Sequence, residues 1–292
     1  MKLIENKKLF GKINIVDIVL VLIILVVGLI GYKKIFTNDS GVSIGAKYYK
    51  TNFLLKIESV PASIFNYLEE GVDVYDNETN TYIGKLTSFY SGDAMVKKVD
   101  LVSNKYVLTK RPEKINIYLN VEVEVADNPG DLINSNNYYV KIGKYINIRS
   151  GKFAAGGYII GVDRIEEIET KLPEFTDDSF SYKFFIADIA DTSAKGFKVG
   201  DEIFDKMSSA SLGYITDIDA KPSRQIVDVL DGSVVLSEVP ERIDVTLTIT
   251  TNGQQKNGEY LANNLTRLQA GSFKQIKTDY IMCSGMVVDI EK

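Results

Sequence analysis

The sequence predicts a mainly β protein, with one N-terminal transmembrane helix followed by two tandem duplicated β-barrel-like (or sandwich) domains, each with a short helix. Three observations predict it. A long apolar run lies near the N-terminus, the rest of the chain repeats itself at a nearly fixed offset, and each repeat is rich in period-two alternation.

The apolar run sets the first element. From Ile18 to Ile30 every residue is apolar or Gly, and the wider segment 13–32 has only Asn14 and Asp17 as strong polar interruptions. A helix of about 20 residues is about 30 Å long, the thickness of a bilayer's hydrocarbon core. Its many Val and Ile residues favour strands in water, but in lipid the backbone must satisfy its own hydrogen bonds, which selects a helix. A cleaved signal peptide is the competing reading. The run ends Gly31-Tyr32-Lys33-Lys34, without the small-residue pattern of a cleavage site, which points to a retained anchor. Asp17 lies about one turn inside, where it can cap free N–H groups or reach headgroups; the alternative is a polar contact on a partner helix.

Charge orients the anchor. Residues 1–34 carry six Lys against Glu5 and Asp17, a balance of +4, so residues 35–292 carry −9 of the overall −5. The excess of Lys before the helix favours a cytoplasmic N-terminus, 1–12, and an extracytoplasmic bulk beyond a juxtamembrane linker, 33–49. The localisation expected is the cell membrane, single-pass. A nucleic-acid binder carries the opposite sign on its folded part, so no nucleic-acid partner is expected.

The repeat divides the remainder of the chain. Gly71-Val72-Asp73-Val74-Tyr75-Asp76 answers Gly200-Asp201-Glu202-Ile203-Phe204-Asp205 at an offset of 129, and Gly84 answers Gly213. After one deletion the offset is 128: Val99-Asp100 meets Val227-Asp228, Pro112-Glu113-Lys114-Ile115 meets Pro240-Glu241-Arg242-Ile243, Gly143 meets Gly271 and Gly157 meets Gly285. The two β repeats are therefore 50–167 and 179–292. The segment between them, 168–178, is acidic, contains Pro173 and reads as a linker.

Within each repeat strands dominate. Ile115, Ile117, Leu119, Val121, Val123 and Val125 alternate onto one face, and Ile243, Val245, Leu247 and Ile249 do the same in the second repeat. Asp231-Gly232 signals a tight hairpin turn, a place that Ser103-Asn104 takes in the first repeat. Pro112 and Pro240 are expected to mark the bend entering each long strand. Pro61–Glu70, which starts with Pro and ends before Gly71, and its weaker counterpart Ala190–Val199 are the expected helices.

The chemical inventory is narrow. There is no His, so Ser-His-Asp and Cys-His constellations and the commonest metal ligand are absent. Cys283 is the only cysteine, so no intrachain disulfide can form, and it reads as a small buried apolar residue. Gly151, Gly156 and Gly157 match no phosphate-binding motif and read as a β-turn. Asp73, Asp76, Asp201 and Asp205 could supply a glycosidase-like carboxylate pair, but they flank turns in both repeats, where Asp caps its own backbone. Asp217 and Asp219 read as one solvated strand face. Tyr48-Tyr49 and Tyr138-Tyr139, among 17 Tyr, suit a barrel wall; they could also stack against sugars or fill a partner interface.

Leu9-Phe10-Gly11-Lys12-Ile13-Asn14-Ile15-Val16-Asp17, running into the apolar segment, resembles the start of the bacterial domain-of-unknown-function family 4330. The stretches 199–205, 234–245 and 285–290 are similar to it too, so the resemblance covers the N-terminus and the second repeat well and the first repeat more loosely. The resemblance implies a bacterial single-pass membrane protein with a β-rich extracytoplasmic domain and assigns no activity.

The expected function is a non-enzymatic, membrane-anchored accessory or scaffold protein of the cell envelope. It would bind a partner protein or an envelope polysaccharide through its tandem β domains, with no catalytic residue, no metal and no cofactor. The alternatives are a carbohydrate-active enzyme using paired carboxylates and an extracytoplasmic sensor or ligand-binding module.

Overall fold

The structure is a computed structural model. It describes residues 47–292 except 169–171, 177, 257–258, 264–265 and 292, and, nearer the N-terminus, Ile4–Glu5, Lys8–Leu9 and Ile13–Asn14. Those three dipeptides are strands β1, β2 and β3, paired antiparallel with Ile4 opposite Leu9 and Lys8 opposite Asn14. The expected transmembrane helix 13–32 therefore does not start at Ile13, because Ile13 and Asn14 pair as a strand. Its remainder, 15–32, with Asp17, lies outside the described residues. Among the described residues no helix is long and apolar enough to cross a membrane.

Residues Val42–Lys292 form one compact unit, and it is mainly β. Its first half contains β4 (Tyr48–Pro61), β5 (Asp73–Asp76), β6 (Tyr82–Asp100), β7 (Lys105–Asn128), β8 (Asp131–Asn134), β9 (Tyr145–Ser150) and β10 (Phe153–Val162). β4 thus begins inside the segment read as a linker. The sheet order is β4-β10-β9-β5-β6-β7-β8, and β4 also pairs with β7, so six strands run round to meet the first. The second half contains β11 (Phe180–Ala190), β12 (Glu202–Asp205), β13 (Ser211–Asp228), β14 (Val234–Thr251), β15 (Gly253–Lys256), β16 (Glu259–Ala262), β17 (Thr266–Leu268), β18 (Phe273–Lys277) and β19 (Met282–Glu291). β11-β14-β13-β12-β18-β19 close into a barrel, and β15-β16-β17 form a separate small sheet. Replacing each strand of the first ring by its counterpart gives the same cyclic order.

Backbone conformation repeats as well. Left-handed residues occur in pairs at the repeat offset: Ser59 and Asp188, Asn80 and Ser209, Asn104 and Gly232, Glu113 and Glu241, Gly71 and Gly200, Gly143 and Gly271. Each ring interrupts its first strand at the same place, with register shifts between Ile57 and Val60 and between Ile186 and Ile189. Two glycine pairs are required by close packing. A Cβ on Gly84 would meet the Glu122 carbonyl and one on Gly213 the Thr250 carbonyl; Gly157 and Gly285 stand likewise against Lys56 and Phe185.

The ring interiors are packed with side chains. Phe53, Leu55, Ile117, Leu119, Val121, Ile148 and Ile159 fill the first, and Tyr182, Phe184, Ile215, Leu247, Ile249 and Val287 the second. Each such burial contributes roughly 1.5–3 kcal/mol relative to exposure. The two cores exchange members: Tyr280 packs into the first cluster and Ile142 into the second. Ile142 and Ile281 form a parallel bridge, with Ile142 N–H donating to the Tyr280 carbonyl at 2.8 Å.

The expected helices are shorter than the sequence suggests. Ala62–Tyr67 is a 3-10 helix after Pro61, and the second is the four-residue α1, Asp191–Ala194. Neither buries a residue fully; Ile64 and Phe65 of the first and Ala194 of the second pack only partly against the cores, a contact of about one turn that supports no longer helix. Pro112 and Pro240 mark a bend, as expected, but within a continuous strand and not at its start. They lie inside β7 and β14, each followed by a left-handed Glu, where the strand leaves the ring wall.

Candidate functional site

The four Asp residues do not converge. Asp76 Oδ1 accepts the N–H groups of Glu78 (3.0 Å) and Thr79 (2.8 Å) and the Thr79 hydroxyl (3.0 Å). Asp205 Oδ1 accepts from Met207, Ser208 and the Ser208 hydroxyl in the same pattern. For both carboxyls burial works upward and the hydrogen bonds outweigh it, holding them below the usual carboxylate range. Asp73 is exposed on β5. Asp201 joins the two halves: it takes a bidentate pair from Arg164, at 2.8 and 2.7 Å, and the Lys198 N–H at 2.9 Å. Arg164 also donates to the Gly196 carbonyl at 2.9 Å and lies over the Tyr280 ring at 4.5 Å.

Other candidates separate by burial. Tyr138 is buried in the first core and Tyr49 packs against it, while Tyr48 and Tyr139 face outward. Cys283 lies in the wall between the halves, where burial pushes its thiol up to about 12. Asp217 and Asp219 are exposed on β13. The Gly151-Gly156-Gly157 cluster is not one turn. Gly151, with φ of 58°, turns between β9 and β10; Gly156 and Gly157 are inside β10, where a Cβ would strike Tyr145 and Asn147 in one case and Lys56 in the other.

A buried charge cluster at the junction carries no sequence motif. Asp131 accepts from Lys141 at 2.9 Å and from Lys277 at 2.5 Å. Lys141 also donates to the Gly130 and Thr278 carbonyls, the latter at 2.6 Å, and Asp279 accepts the Gly130 N–H at 2.9 Å. Burial lowers Lys141 to about 8. Burial first, and then Asp127, pushes Asp279 up to about 7. These residues tie 130–141 to 277–279, and nothing in their spacing announced it.

The feature best shaped for recognition is a pair of arms. Beyond the ring wall, β6 and β7 continue as a hairpin pairing Met95 with Lys110 through Asp100 with Lys105. β13 and β14 do the same from Arg224–Glu238 to Asp228–Val234. The arms lie side by side. The Tyr106 N–H donates to Ser237 Oγ at 3.0 Å, Lys97 donates to Gln225 Oε1 at 3.1 Å, and Ser237, Val227 and Val239 are buried. Open apolar side chains stand at both tips and on the outer face of the second arm, where they neighbour the Arg224–Glu238 ion pair. Val102 is 93% exposed and Leu230, at the same repeat position, 80%. Ile226 and Leu236, a cross-strand pair, are 64% and 68% exposed, with Val234 and Leu101 beside the tips. Exposed aliphatic residues are thus concentrated at the projecting hairpin tips. Sequence reasoning found the turns but missed the arms, because alternation does not tell a wall strand from its free extension.

A protein of paired β rings with projecting arms is what fold and site define. The chain belongs to the family described as a domain of unknown function, DUF4330, whose profile matches residues 1–163. That span is the N-terminal region and the first ring. The first repeat is the one matched, and the second, where the stretches 199–205, 234–245 and 285–290 carry the stronger resemblance, lies outside the match; those stretches sit at the repeat offset from residues within it. No curated protein and no solved structure matches the chain.

Proposed function

We propose that the protein is a non-enzymatic, membrane-anchored accessory or scaffold protein of the cell envelope, gripping a partner protein through its twin arms. The reading takes the two rings as copies of one barrel-like unit and the apolar segment 13–32 as a retained anchor with its N-terminus inside. The observation that carries it is the exposure of Val102 and Leu230 at equivalent tips, beside Ile226 and Leu236. A folded protein keeps such apolar surface open where a partner covers it. Of the four candidate Asp residues, Asp76 and Asp205 are engaged in turns and Asp201 in the Arg164 clamp, which leaves Asp73 on the exposed side of β5 without a second carboxylate of the four engaged with it.

The arms are tested in native membranes by a photo-crosslinking residue at Val102 or Leu230, with Lys152 as the control site. The expected result is a discrete adduct from the tips and none from the control. Ile226→Asp with Leu236→Asp should abolish it while moving the melting temperature by under about 2 °C, since exposed substitutions cost little. Adducts with lipid alone would overturn the protein-partner reading. Turnover of an envelope glycan abolished by replacing one Asp would overturn the non-enzymatic one. Orientation is checked in Cys283→Ser cells. Ser40→Cys should react with an impermeant thiol reagent and Lys2→Cys should not; the reverse pattern refutes the topology.

A further inference from the structure

On the outer wall of the first ring, four adjacent strands bring tyrosines and planar polar side chains onto one face. β9 points Tyr145, Asn147 and Arg149 outward, opposite Tyr158, Gly156 and Ala154 of β10. Tyr75 of β5 is registered with Arg149 on one side and with Tyr82 of β6 on the other. Two aromatic pairs result. Tyr145 and Tyr158 meet edge to face at 5.0 Å between centroids, and Tyr75 and Tyr82 at 5.6 Å, with Arg149 over the Tyr75 ring at 4.7 Å. Tyr145 and Tyr158 are 52% and 50% exposed. The pairs are offset by four residues along the strands, about 13 Å, and by two strand spacings across them, about 10 Å, so they stand about 16 Å apart.

Gly156 makes the surface possible. A Cβ there would collide with the Tyr145 hydroxyl and the Asn147 side chain, so both lean across bare backbone. The gap between the aromatic pairs is polar. Asn147 Nδ2 donates to Glu78 Oε1 at 2.6 Å and Arg149 to Asn80 Oδ1, which fixes both side chains; each has more donors or acceptors than these bonds use.

We propose that this wall binds an uncharged polysaccharide chain. A pyranose presents an apolar C–H face and a rim of hydroxyls, matching aromatic faces alternating with amide, carboxylate and guanidinium groups. A site this long fits a chain rather than a single sugar. The carboxylates around the face favour a neutral chain over a polyanion, with Arg149 within the face and Lys56 registered with Tyr158 as the cations set against them. Burial, and then Asp73, Glu124 and Glu122 among its neighbours, push the Tyr82 hydroxyl up, and Asp76 and Glu78 border the same face. Phosphate or uronate polymers would meet like charge there. The ligand face lies on β5, β6, β9 and β10 and uses no arm residue, so it stands or falls separately from the protein-partner reading.

The test uses the full chain in a polyoxyethylene detergent, which carries no sugar headgroup. Cellohexaose, laminarihexaose, chitohexaose and mannohexaose are the neutral probes, and a polyuronate is the charged control. Binding to at least one neutral hexasaccharide is expected. Tyr145→Ala and Tyr75→Ala should each weaken it about 3- to 10-fold, the scale of one aromatic contact. Tyr145→Phe should keep it within about 2-fold, since the stacking face is retained. Melting temperature reports that each variant folds, and Ile226→Asp with Leu236→Asp should leave binding unchanged. Failure of all four neutral probes, binding indifferent to Tyr145, or preference for the polyuronate would each overturn the proposal.

Discussion

Asp76 and Asp205 show how one residue can look catalytic and be structural. Each gathers two backbone N–H groups and a hydroxyl on a single oxygen, at turns matched in the two rings. Removing such an acceptor leaves turn donors unpaired, so Asp76→Ala or Asp205→Ala should lower stability by about 1 kcal/mol, read as a fall in urea midpoint. Asp73→Ala, whose side chain has no such role, should change it by under about 0.5 kcal/mol. The pH sign follows from the lowered carboxyls. Their stabilisation is present above the unfolded carboxylate range and fades as pH falls through the folded value, so the loss belongs to the acid limb below about pH 4. The turn-capping role was legible because Asp beside turn signals has a local partner. Asp201 was half legible: its bond to the Lys198 N–H is local, but Arg164 lies 37 residues away and no spacing pairs them.

The strand is the element the sequence expressed best, since one core face forces period-two alternation. Ile117, Leu119, Val121, Val123 and Val125 are all buried, as alternation requires. Helices were overextended because Pro and Gly punctuation marks where a helix can start and stop, while its length depends on an apolar stripe; Ala62–Tyr67 has only Ile64 and Phe65, partly buried, and α1 only Ala194. The arms were hidden for a related reason. Their residues continue β6 and β7, or β13 and β14, past Pro112-Glu113 and Pro240-Glu241, where a fixed φ beside a left-handed Glu turns the strand. Glycine spacing carried more than it revealed. Gly84 and Gly213 were visible as repeat markers, but only the structure puts each against the carbonyl of the facing strand. Gly84→Ala or Gly213→Ala must push β6 from β7, or β13 from β14, which should cost about 1–3 kcal/mol. Denaturant midpoints check this, with Gly71→Ala as a contrast in which only the left-handed backbone, and no neighbour, is affected.

At the scale of the whole molecule, the two rings are held by exchanged core residues and a buried charge cluster, and that cluster makes cohesion depend on pH. Asp279 is raised to about 7, chiefly by burial and then by Asp127, against the pull of Lys141 and the Gly130 N–H. Asp201 adds to the rise. The folded state therefore holds a proton that the unfolded chain releases near pH 4. Stability from Asp279 is full below that range and is lost as pH rises through about 7. Lys141, lowered to about 8 by burial, runs oppositely. Its favourable contribution is present above its unfolded value and is lost as pH falls through about 8. Between about pH 5 and 7.5 Lys141 stays mostly protonated, so the change over that window belongs chiefly to Asp279. Asp279→Asn keeps an acceptor for the Gly130 N–H and cannot ionise. Against the wild type, its melting temperature should gain a few degrees on going from about pH 5 to about pH 7.5, a kcal/mol being worth roughly 2–4 °C at this size. A difference between the two proteins that stays constant across those pH values would mean that Asp279 does not titrate in the junction.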